Sequence, residues 1–244
     1  NCAAVYINDR LIVAFKGFPP QGLSQLGFHG ESNDQLCVWQ FSDFSVRKPE
    51  LDDVALLIPA TLADDVLFAD DFATLDPAWG DADGVQSIAD GMLVLEPSAG
   101  TSYASLYQGA LFDDADLRVK ISETSGGKDQ PAGLIFWATD YQNYYVAQIV
   151  PGGSSGISRI KDGQWTAPAP YVPGETTNLA AGKTSALRVV LRGDSATFFV
   201  NDRQIAALKG EPPKGDSKIG VRAASGGSVK YHWQFDELVV RTVE

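Results

Sequence analysis

The chain has 244 residues, enough for one large domain or two modest ones, and its 44% hydrophobic content is typical of a folded protein. The formal net charge is −12, from 31 acidic and 19 basic residues, which argues against binding to nucleic acid or to an anionic membrane surface. Membrane insertion is not expected either, because no apolar run is long enough to cross a bilayer, and the run 54–58 ends at Pro59.

An internal repeat links the two ends of the chain. The stretch VYINDRLIVAFKGFPPQG (5–22) corresponds to FFVNDRQIAALKGEPPKG (198–215), and WQFSDFSVR (39–47) corresponds to WQFDELVVR (233–241). Self-similarity of this length indicates a repeated domain. The sequence therefore predicts that residues 1–47 are the C-terminal strands of an incomplete first copy.

The incomplete copy needs something to cover its apolar face. Strands from 1–47 alone would leave side chains such as Val5, Trp39 and Phe41 exposed, together with unpaired strand edges. We expect the missing strands to come from sequence upstream of Asn1, so that the parent protein is a tandem of two such domains. The alternatives are that 1–47 docks on the complete domain, or that another chain supplies the strands.

Both cysteines of the chain, Cys2 and Cys37, lie in the incomplete copy. A disulfide between them is the first interpretation, because two lone cysteines in an acidic, β-rich chain are typical of a protein exported to the periplasm or the exterior. Two unpaired thiols, one of them buried as a small apolar side chain, are the alternative. A zinc site is not indicated, since neither cysteine has a second thiol or an imidazole at ligand spacing.

The complete domain is expected over 66–244, after a connector at 48–65. Short alternating or apolar runs, separated by clusters of Gly, Pro, Asn and Asp, predict many β-strands there and little helix. The clearest runs are 117–121, 132–138, 143–149, 186–192 and 196–200. The predicted fold class is therefore all-β, a sandwich or jelly roll.

Turns and core positions can be predicted within this domain. Asn201-Asp202 supplies a tight hairpin turn, because both residue types tolerate a positive φ. The Gly/Ser-rich stretch 151–156 and the Pro-rich stretch 168–174 are expected to be loops. Trp233 alternates with Phe235 and is expected in the core of the sandwich.

Several segments of the complete domain together resemble one family. They are DDF (70–72), GLIFWA (133–138), DYQNYYVAQI (140–149), KDGQW (161–165), the run 187–202, KIGVRA (218–223) and FDELVV (235–240). In this order they resemble the bacterial concanavalin A-like, laminin-G-like jelly-roll domains, including the group often labelled 3-keto-disaccharide hydrolase. The resemblance implies a jelly-roll sandwich in an exported protein. It does not select a function, because the family contains enzymes, sugar binders and adhesion modules.

A carbohydrate site is the first functional hypothesis. Tyr141, Trp165 and Tyr171 stand beside Asp, Gly and Pro in loop-like segments, where an exposed ring can stack on the apolar face of a sugar. Asp140 and Asn143 add hydrogen-bonding groups in the same part of the sequence. Rings that simply fill the sandwich are the alternative.

A structural calcium ion is the one cofactor that the sequence suggests. Asp70 and Asp71 belong to the first strand of the complete domain and Asp236 to the last, and these strands lie side by side in many jelly rolls. Carboxylates at that place are ligands that calcium prefers. Ordinary solvation of strand ends is the alternative.

Catalytic signals are weak. Glycoside hydrolysis needs two carboxylates facing each other, whereas adjacent pairs such as Asp113-Asp114 and Asp236-Glu237 point to opposite faces of a strand. Nor do His29 and His232 lie where a Ser-His-Asp or Cys-His site would form. The sequence therefore favours a non-catalytic exported module that binds a glycan or a surface partner. A hydrolase acting on a 3-keto-disaccharide or related glycoside, and a purely structural repeat of a larger envelope protein, are the alternatives.

Overall fold

The computed structural model describes residues 2–7, 10–16, 27–29, 38–46, 65–173 and 183–243. The chain divides into two units, Asn1–Thr61 and Leu62–Glu244, which are taken one at a time below. Across the described ranges, no helix is long and apolar enough to cross a membrane, and the helical element found is one short 3-10 turn, Pro77–Trp79. The predicted connector lies outside the described residues, apart from Asp65.

In the first unit, β1 (Cys2–Ile7) and β2 (Arg10–Lys16) form an antiparallel hairpin. The pairing register shifts once, between Val5 and Tyr6. The sequence predicted strands here, and the two residues left between them are the Asn-Asp pair of the repeat. A two-residue connection of this kind is what a tight hairpin requires.

The segment 38–46 is not a strand, although the repeat predicted one over 39–47. A strand forms only where the backbone of a neighbour pairs with it, and this segment makes no such ladder. Trp39 and Phe41 are 61% and 50% exposed. Cys37 and the side chain of Cys2 lie outside the described residues, so the disulfide stays a prediction.

The second unit is built from strands. In chain order they are β3 (Val66–Asp70), β4 (Gln86–Ala89), β5 (Met92–Leu95), β6 (Ser102–Leu106), β7 (Ala115–Glu123), β8 (Ala132–Asp140), β9 (Asn143–Ile149), β10 (Ser154–Lys161), β11 (Gln164–Pro173), β12 (Thr184–Arg192), β13 (Ser195–Val200), β14 (Arg203–Lys209), β15 (Lys218–Ala224) and β16 (Trp233–Arg241).

These strands form two sheets. The six-stranded sheet has the order β11-β10-β9-β8-β15-β6, and the eight-stranded sheet has the order β14-β13-β12-β7-β16-β5-β4, with β3 also paired to β16. The pairings are antiparallel, and strands distant in sequence lie side by side, as β8 and β15 do. This arrangement is a jelly-roll sandwich and confirms the predicted all-β fold class.

The core lies between the two sheets, where one face of each strand is apolar. β12 alternates between buried and less buried residues along its length, as a strand with one face in a core must. Trp233 and Phe235 are fully buried, which confirms their predicted place in the core. The indole Nε1 of Trp233 donates to the Ala224 carbonyl at 3.0 Å, so the one polar atom of this ring is satisfied.

The predicted turn at Asn201-Asp202 is confirmed. Asn201 has a φ of 49° and Asp202 a φ of 63°, and they connect β13 to β14. Two successive positive φ values give a turn whose twist matches that of the flanking strands.

The two predicted loops are corrected by the structure. The stretch 168–174 is the second half of strand β11 as far as Pro173, because β10 offers its backbone for pairing; Ile157 lies opposite Ala169, for example. Prolines are tolerated here since β11 is an edge strand. The stretch 151–156 is a turn only as far as Gly153, and the rest of it begins β10.

Candidate functional site on the outer face of the six-stranded sheet

The outer face of the six-stranded sheet is the face turned away from the core. Successive residues of a strand point to opposite sides, so Phe136 and Tyr145 belong to the core while their neighbours Ile135 and Tyr144 lie on the outer face. A second, smaller set of buried apolar residues lies on this face. Its members, the outer apolar cluster, are Leu106, Ile135, Ala138, Tyr144, Val146 and Ile160.

One row across this face alternates long polar side chains with glycines. Backbone pairing places Arg222 opposite Gly133, Gly133 opposite Gln148, and Gln148 opposite Gly156. A Cβ at Gly133 would overlap the Ala147 carbonyl oxygen, so the backbone of the neighbouring strand passes too close for a side chain. No side chain of this row therefore projects between Arg222 and Gln148.

Two polar groups are buried on this face without a hydrogen-bond partner. The Gln148 side chain accepts from the Tyr171 hydroxyl, O to Oε1 2.6 Å, but its own Nε2 has no acceptor among the described residues. The Ser158 hydroxyl makes no hydrogen bond of good geometry in that part of the chain, although it lies near enough to the Tyr171 hydroxyl to affect the pKa of that phenol. Both residues are fully buried, and leaving such a group unpaired costs about 1–3 kcal/mol. Unpaired polar groups of this kind are typical of places where a ligand or ordered water binds.

Arg222 crosses the outer face and stacks on Trp165. The guanidinium carbon lies 4.8 Å from the centroid of the indole ring, which is 46% exposed. Burial raises the pKa of Tyr144, and Arg222 opposes this shift by its charge and by a hydrogen bond to the hydroxyl. Burial also raises the pKa of Tyr171, where Ser158 and then the Arg222 charge oppose it, so the guanidinium lies near both hydroxyls. Its Nη1 is buried and has no hydrogen-bond partner.

Acidic residues are almost absent from the strands of this sheet. Among the residues of its six strands only Asp140, the last residue of β8, is acidic. The pKa of Asp140 lies below its ordinary value, chiefly because its carboxylate accepts a hydrogen bond from the Gln142 backbone. Burial acts in the opposite sense, and hydrogen bonds from Asn143 and Thr139 lower the pKa further. The central part of the outer face thus carries cations and neutral polar groups.

The structure divides the predicted sugar-binding residues between two places. Trp165 and Tyr171 lie on β11, at the edge of the outer face. Asp140, Tyr141 and Asn143 lie at the β8–β9 hairpin, where Tyr141 is 55% exposed.

The polar residues of that hairpin brace the turns. Asp140 Oδ1 accepts from the Gln142 backbone at 2.7 Å and from Asn143 Nδ2 at 3.1 Å. Asn143 Oδ1 accepts from the Asp162 backbone at 3.0 Å, which ties this turn to the β10–β11 turn. Much of their hydrogen-bonding capacity is therefore used within the fold.

Asn143 also lines a small open pocket of about 190 Å³ beside the β8–β9 turn, together with Trp137, Arg159, Lys161 and Glu211. Glu211 accepts from Arg159 at 2.7 Å and from Lys161 at 3.1 Å, and these partners lower its pKa to about 2. The charges of this pocket are paired with one another, which makes it a weaker candidate than the outer face.

The predicted calcium ligands do not form a cluster with other potential ligands. Asp70 accepts from the Trp79 indole at 2.7 Å and from the Phe72 backbone at 2.8 Å, and Asp236 accepts from the Glu237 backbone at 2.8 Å. Asp71 accepts from the Ala73 backbone at 3.1 Å. In the described part of the chain, no three His, Cys, Asp or Glu side chains gather closely enough to hold a metal ion, so calcium binding stays a prediction.

Sequence reasoning missed Gln148, Ser158 and Arg222. A signal for them existed, because each is a polar residue inside a run that is otherwise apolar or small, such as YYVAQI or KIGVRA. Residues in such runs are buried on both faces, and a buried polar side chain is informative. The sequence does not show that the three lie on one surface, since β9, β10 and β15 are not consecutive.

The two packed antiparallel sheets define a concanavalin A-like jelly-roll protein, the class that the sequence motifs suggested. Residues 66–235 match the model of the 3-keto-alpha-glucoside-1,2-lyase-like domain. The chain belongs to this family. A search of curated protein sequences finds no match to this chain.

Solved structures of similar fold are carbohydrate-active proteins. The carbohydrate-binding module CBM66 from Bacillus subtilis gives a TM-score of 0.55 at 14% identity, covering 65% of this chain and 92% of that one. A β-glucanase of Bacillus licheniformis gives 0.54 at 12% identity, covering 72% and 98%. A protein from a study of mucin-degrading endo-acting O-glycanases of the human gut microbiota gives 0.55 at 14%, covering 73% and 100%. At these identities the likeness establishes the fold.

Proposed function

We propose that the second unit is a non-catalytic carbohydrate-binding module whose binding surface is the outer face of the six-stranded sheet. The observation that carries this proposal is the half-exposed ring of Trp165, held on Arg222 near the unpaired groups of Gln148 and Ser158. An exposed indole offers a flat apolar surface to a pyranose, and nearby polar groups orient its hydroxyls. The outer apolar cluster supplies a rigid floor beneath them.

The distribution of carboxylates supports binding without hydrolysis. A glycosidase of the usual kind places two carboxyl groups on either side of the scissile bond, about 5–10 Å apart. The six strands carry only Asp140, whose oxygens accept hydrogen bonds within the β8–β9 turn. The strands of this face therefore provide no second carboxylate to act as acid, base or nucleophile.

The test is a comparison of two aromatic truncations in the full chain. Trp165→Ala should reduce binding in a glycan array and in titration calorimetry, while the thermal unfolding of the protein stays nearly unchanged. Phe199→Ala is the matched control, since Phe199 also stacks on an arginine, Arg188, at 5.2 Å, but on the eight-stranded sheet. Equal loss of binding in both variants, or none in either, would contradict the assignment of the surface.

Export to the periplasm or the exterior is proposed with this function. The fold is shared with CBM66 and with a β-glucanase, and the chain has two cysteines suited to one disulfide. Thiol labelling of the unfolded, unreduced protein should find Cys2 and Cys37 blocked. Two reactive thiols after preparation under oxidising conditions would remove the disulfide.

Residues 1–47 are proposed to be part of a second copy of the same fold. Every backbone pair of the β1–β2 hairpin has its counterpart in the β13–β14 hairpin, including the register shift, which falls at Val5/Tyr6 and at Phe198/Phe199. Replacing residues 195–209 by the sequence of 2–16 should therefore give a folded protein. Loss of cooperative unfolding in that chimera would count against the repeat.

The family description favours a second candidate, an enzyme acting on 3-keto-glucosides. Elimination across C1 and C2 of such a sugar needs a base that takes the C2 proton and a donor or cation that stabilises the enolate oxygen this forms at C3. The C1–O bond breaks as the enolate collapses, and an acid protonates the leaving oxygen. Burial raises the pKa of Tyr144 and keeps its phenol protonated, so Tyr144 and Arg222 have the chemistry of the donor and cation and not of the base. Incubation with a 3-keto-α-glucoside should then release the leaving alcohol, and Tyr144→Phe should stop the release. No turnover of this substrate or of a 3-keto-disaccharide would exclude both the lyase and the hydrolase.

A further inference from the structure

Arg222 is a partly buried arginine that has no carboxylate partner among the described residues. Four arginines of this unit form ion pairs: Arg118 and Arg188 with Asp116, Arg159 with Glu211, and Arg241 with Asp65. Arg222 forms none with a described carboxylate, although it is partly buried and its Nη1 is enclosed without a hydrogen-bond partner. Its described partners, the Trp165 ring and the Tyr144 hydroxyl, are neutral. A partly buried charge without a carboxylate partner is costly, so its retention needs a reason.

The position of the guanidinium is fixed by its surroundings. It lies 4.8 Å from the centre of the Trp165 ring, and its charge acts on the hydroxyls of both Tyr144 and Tyr171. A guanidinium stacked on a ring keeps its N–H groups in its own plane, where they match the two oxygens of a carboxylate or sulfate. Because Nη1 is enclosed, a bidentate anion must use the edge formed by Nε and Nη2.

A second cation lies on the same strand and the same face. Lys218 is four residues before Arg222 in β15, and it is paired across the sheet with Ala138 of the outer apolar cluster. Among the described residues it has no ion pair with a carboxylate. The six strands hold a single acidic residue, so this face is positive although the whole chain has a net charge of −12.

Buried neutral groups complete the site. Gln148 Nε2 and Ser158 Oγ are enclosed and make no hydrogen bond of good geometry with a described residue, and Gln148 is separated from Arg222 in its row only by Gly133. Such groups recognise hydroxyls once the side chains that cover them move aside, whereas the guanidinium recognises an anion. Together they fit a sugar that carries both.

From this arrangement we infer that the outer face binds an acidic glycan, and that Arg222 receives the carboxylate or sulfate of one sugar residue. The inference rests on the proposed carbohydrate-binding function and names the class of its ligand. Because the overall charge of the protein repels polyanions, binding depends on the local contact with Arg222 and not on long-range attraction.

The experiment uses matched pairs of oligosaccharides with the full chain in titration calorimetry. Oligogalacturonate is compared with its methyl-esterified form, which keeps the backbone and removes the charge. A sulfated galactan oligosaccharide is compared with its desulfated form. The first pair tests a carboxylate and the second a sulfate. We expect one acidic member to bind about tenfold or more tighter than its neutral match.

Three variants locate the charge recognition. Arg222→Gln should abolish the preference for the acidic member, and Arg222→Lys should restore it only in part, because lysine lacks the planar fork. Arg203→Gln is the charge-matched control on the exposed strand β14, and it should leave the preference unchanged. If Arg222→Gln does not fold, the preference of the wild type for the acidic oligosaccharide and its reduction in Arg222→Lys test the role of Arg222 instead.

The outcomes separate the inference from the function on which it rests. If charged and neutral oligosaccharides bound equally and Trp165→Ala abolished this binding, the inference of an acidic ligand would be wrong. The proposed carbohydrate-binding function would then still stand. A charge preference that survives in Arg222→Gln would overturn the role of Arg222. Absence of binding to all four oligosaccharides would overturn the inference, and the glycan array with Trp165→Ala would then judge the proposed function separately.

Discussion

The two outer faces of the sandwich use their charged residues differently. On the eight-stranded sheet, Asp116 accepts hydrogen bonds from Arg188 Nη2 at 2.8 Å and from Arg118 Nη2 at 3.0 Å. Lys120 pairs with Glu237 on the same sheet at 2.5 Å. The charges of this face satisfy one another, as expected of a surface whose task is to remain soluble and folded.

The outer face of the six-stranded sheet also has an arginine over an aromatic ring, but this arginine has no carboxylate partner among the described residues. Arg222 lies over Trp165 much as Arg188 lies over Phe199, but no described acidic group pairs with it. A charge that is paired within the fold contributes to stability, whereas one left unpaired in a partly buried place is available for a ligand. We infer that the charges of the eight-stranded sheet serve stability, whereas Arg222 on the six-stranded sheet serves binding. The following predictions test this difference.

The largest expected effect is on the eight-stranded sheet. Asp116→Ala leaves two arginines without their shared partner and should lower the free energy of unfolding by about 1–3 kcal/mol, because Asp116 is 7% exposed and its hydrogen bonds are charge-assisted. Urea unfolding measures this effect. Asp216→Ala, on an exposed loop, is the control and should be close to neutral. An Asp116 variant as stable as the control would remove the contrast between the sheets.

The same cluster predicts a dependence on pH. Burial of Asp116 disfavours its ionised form, but the hydrogen bonds from Arg188 and Arg118 outweigh burial and hold its pKa below the ordinary value of 3.8. A carboxylate with a depressed folded pKa stabilises the fold fully above its ordinary pKa, and this contribution is lost as the pH falls below it.

Unfolding followed over an acid series should therefore show the stability difference between wild type and Asp116→Ala shrinking below about pH 4. A difference that stayed constant, or grew, in that range would mean that the carboxylate is not the stabilising form.

A smaller effect distinguishes two buried serines. Ser105 Oγ donates to the Trp79 carbonyl at 3.0 Å, whereas Ser158 Oγ makes no hydrogen bond of good geometry with a described residue, and both are fully buried. Ser105→Ala should cost about 1 kcal/mol, while Ser158→Ala should be neutral or stabilising by up to about 1 kcal/mol, because it removes an unsatisfied hydroxyl. Thermal unfolding of the two single variants compares them directly. Equal destabilisation would show that Ser158 is satisfied in the unliganded protein.

The smallest expected change in stability is at Arg222. Arg222→Gln relieves the cost of a partly buried charge without a carboxylate partner, but it also loses the contact with the Trp165 ring. These two effects oppose each other, so the free energy of unfolding should move by less than about 0.5 kcal/mol in either direction. Urea unfolding of this variant beside Arg188→Gln tests the claim, since the latter breaks the pair with Asp116. A loss at Arg222 as large as that at Arg188 would mean that both arginines serve the fold.

Much of the fold follows from local features of the sequence. Alternating runs and Asn-Asp turns predict strands and hairpins, and Trp233 alternating with Phe235 predicts a core strand, because side-chain period and turn geometry act within a few residues. The two hairpins with the Asn-Asp sequence have the same register and the same shift, which is the signature of a locally encoded structure.

The candidate site was predicted only in part. Trp165 and Tyr171 were proposed from their exposed-looking context, and both lie at the edge of the outer face. Asp140 and Asn143 were proposed for the same reason, but their hydrogen bonds brace turns. Local context shows that a polar residue is near a turn, and it does not show whether its bonds are already used.

Only the tertiary structure decides the remaining features. The similar stretches beginning WQF form strand β16 at Trp233–Arg241, where β7, β5 and β3 pair with it, but no strand at 38–46. Arg222 meets Trp165 because β15 joins the sheet beside β8, a pairing between strands far apart in the sequence. The sequence alone thus determined the strand content, the hairpins and the core positions, which depend on neighbouring residues. The surface that Arg222, Gln148 and Ser158 share depends on sheet order, which is set by pairing between distant segments.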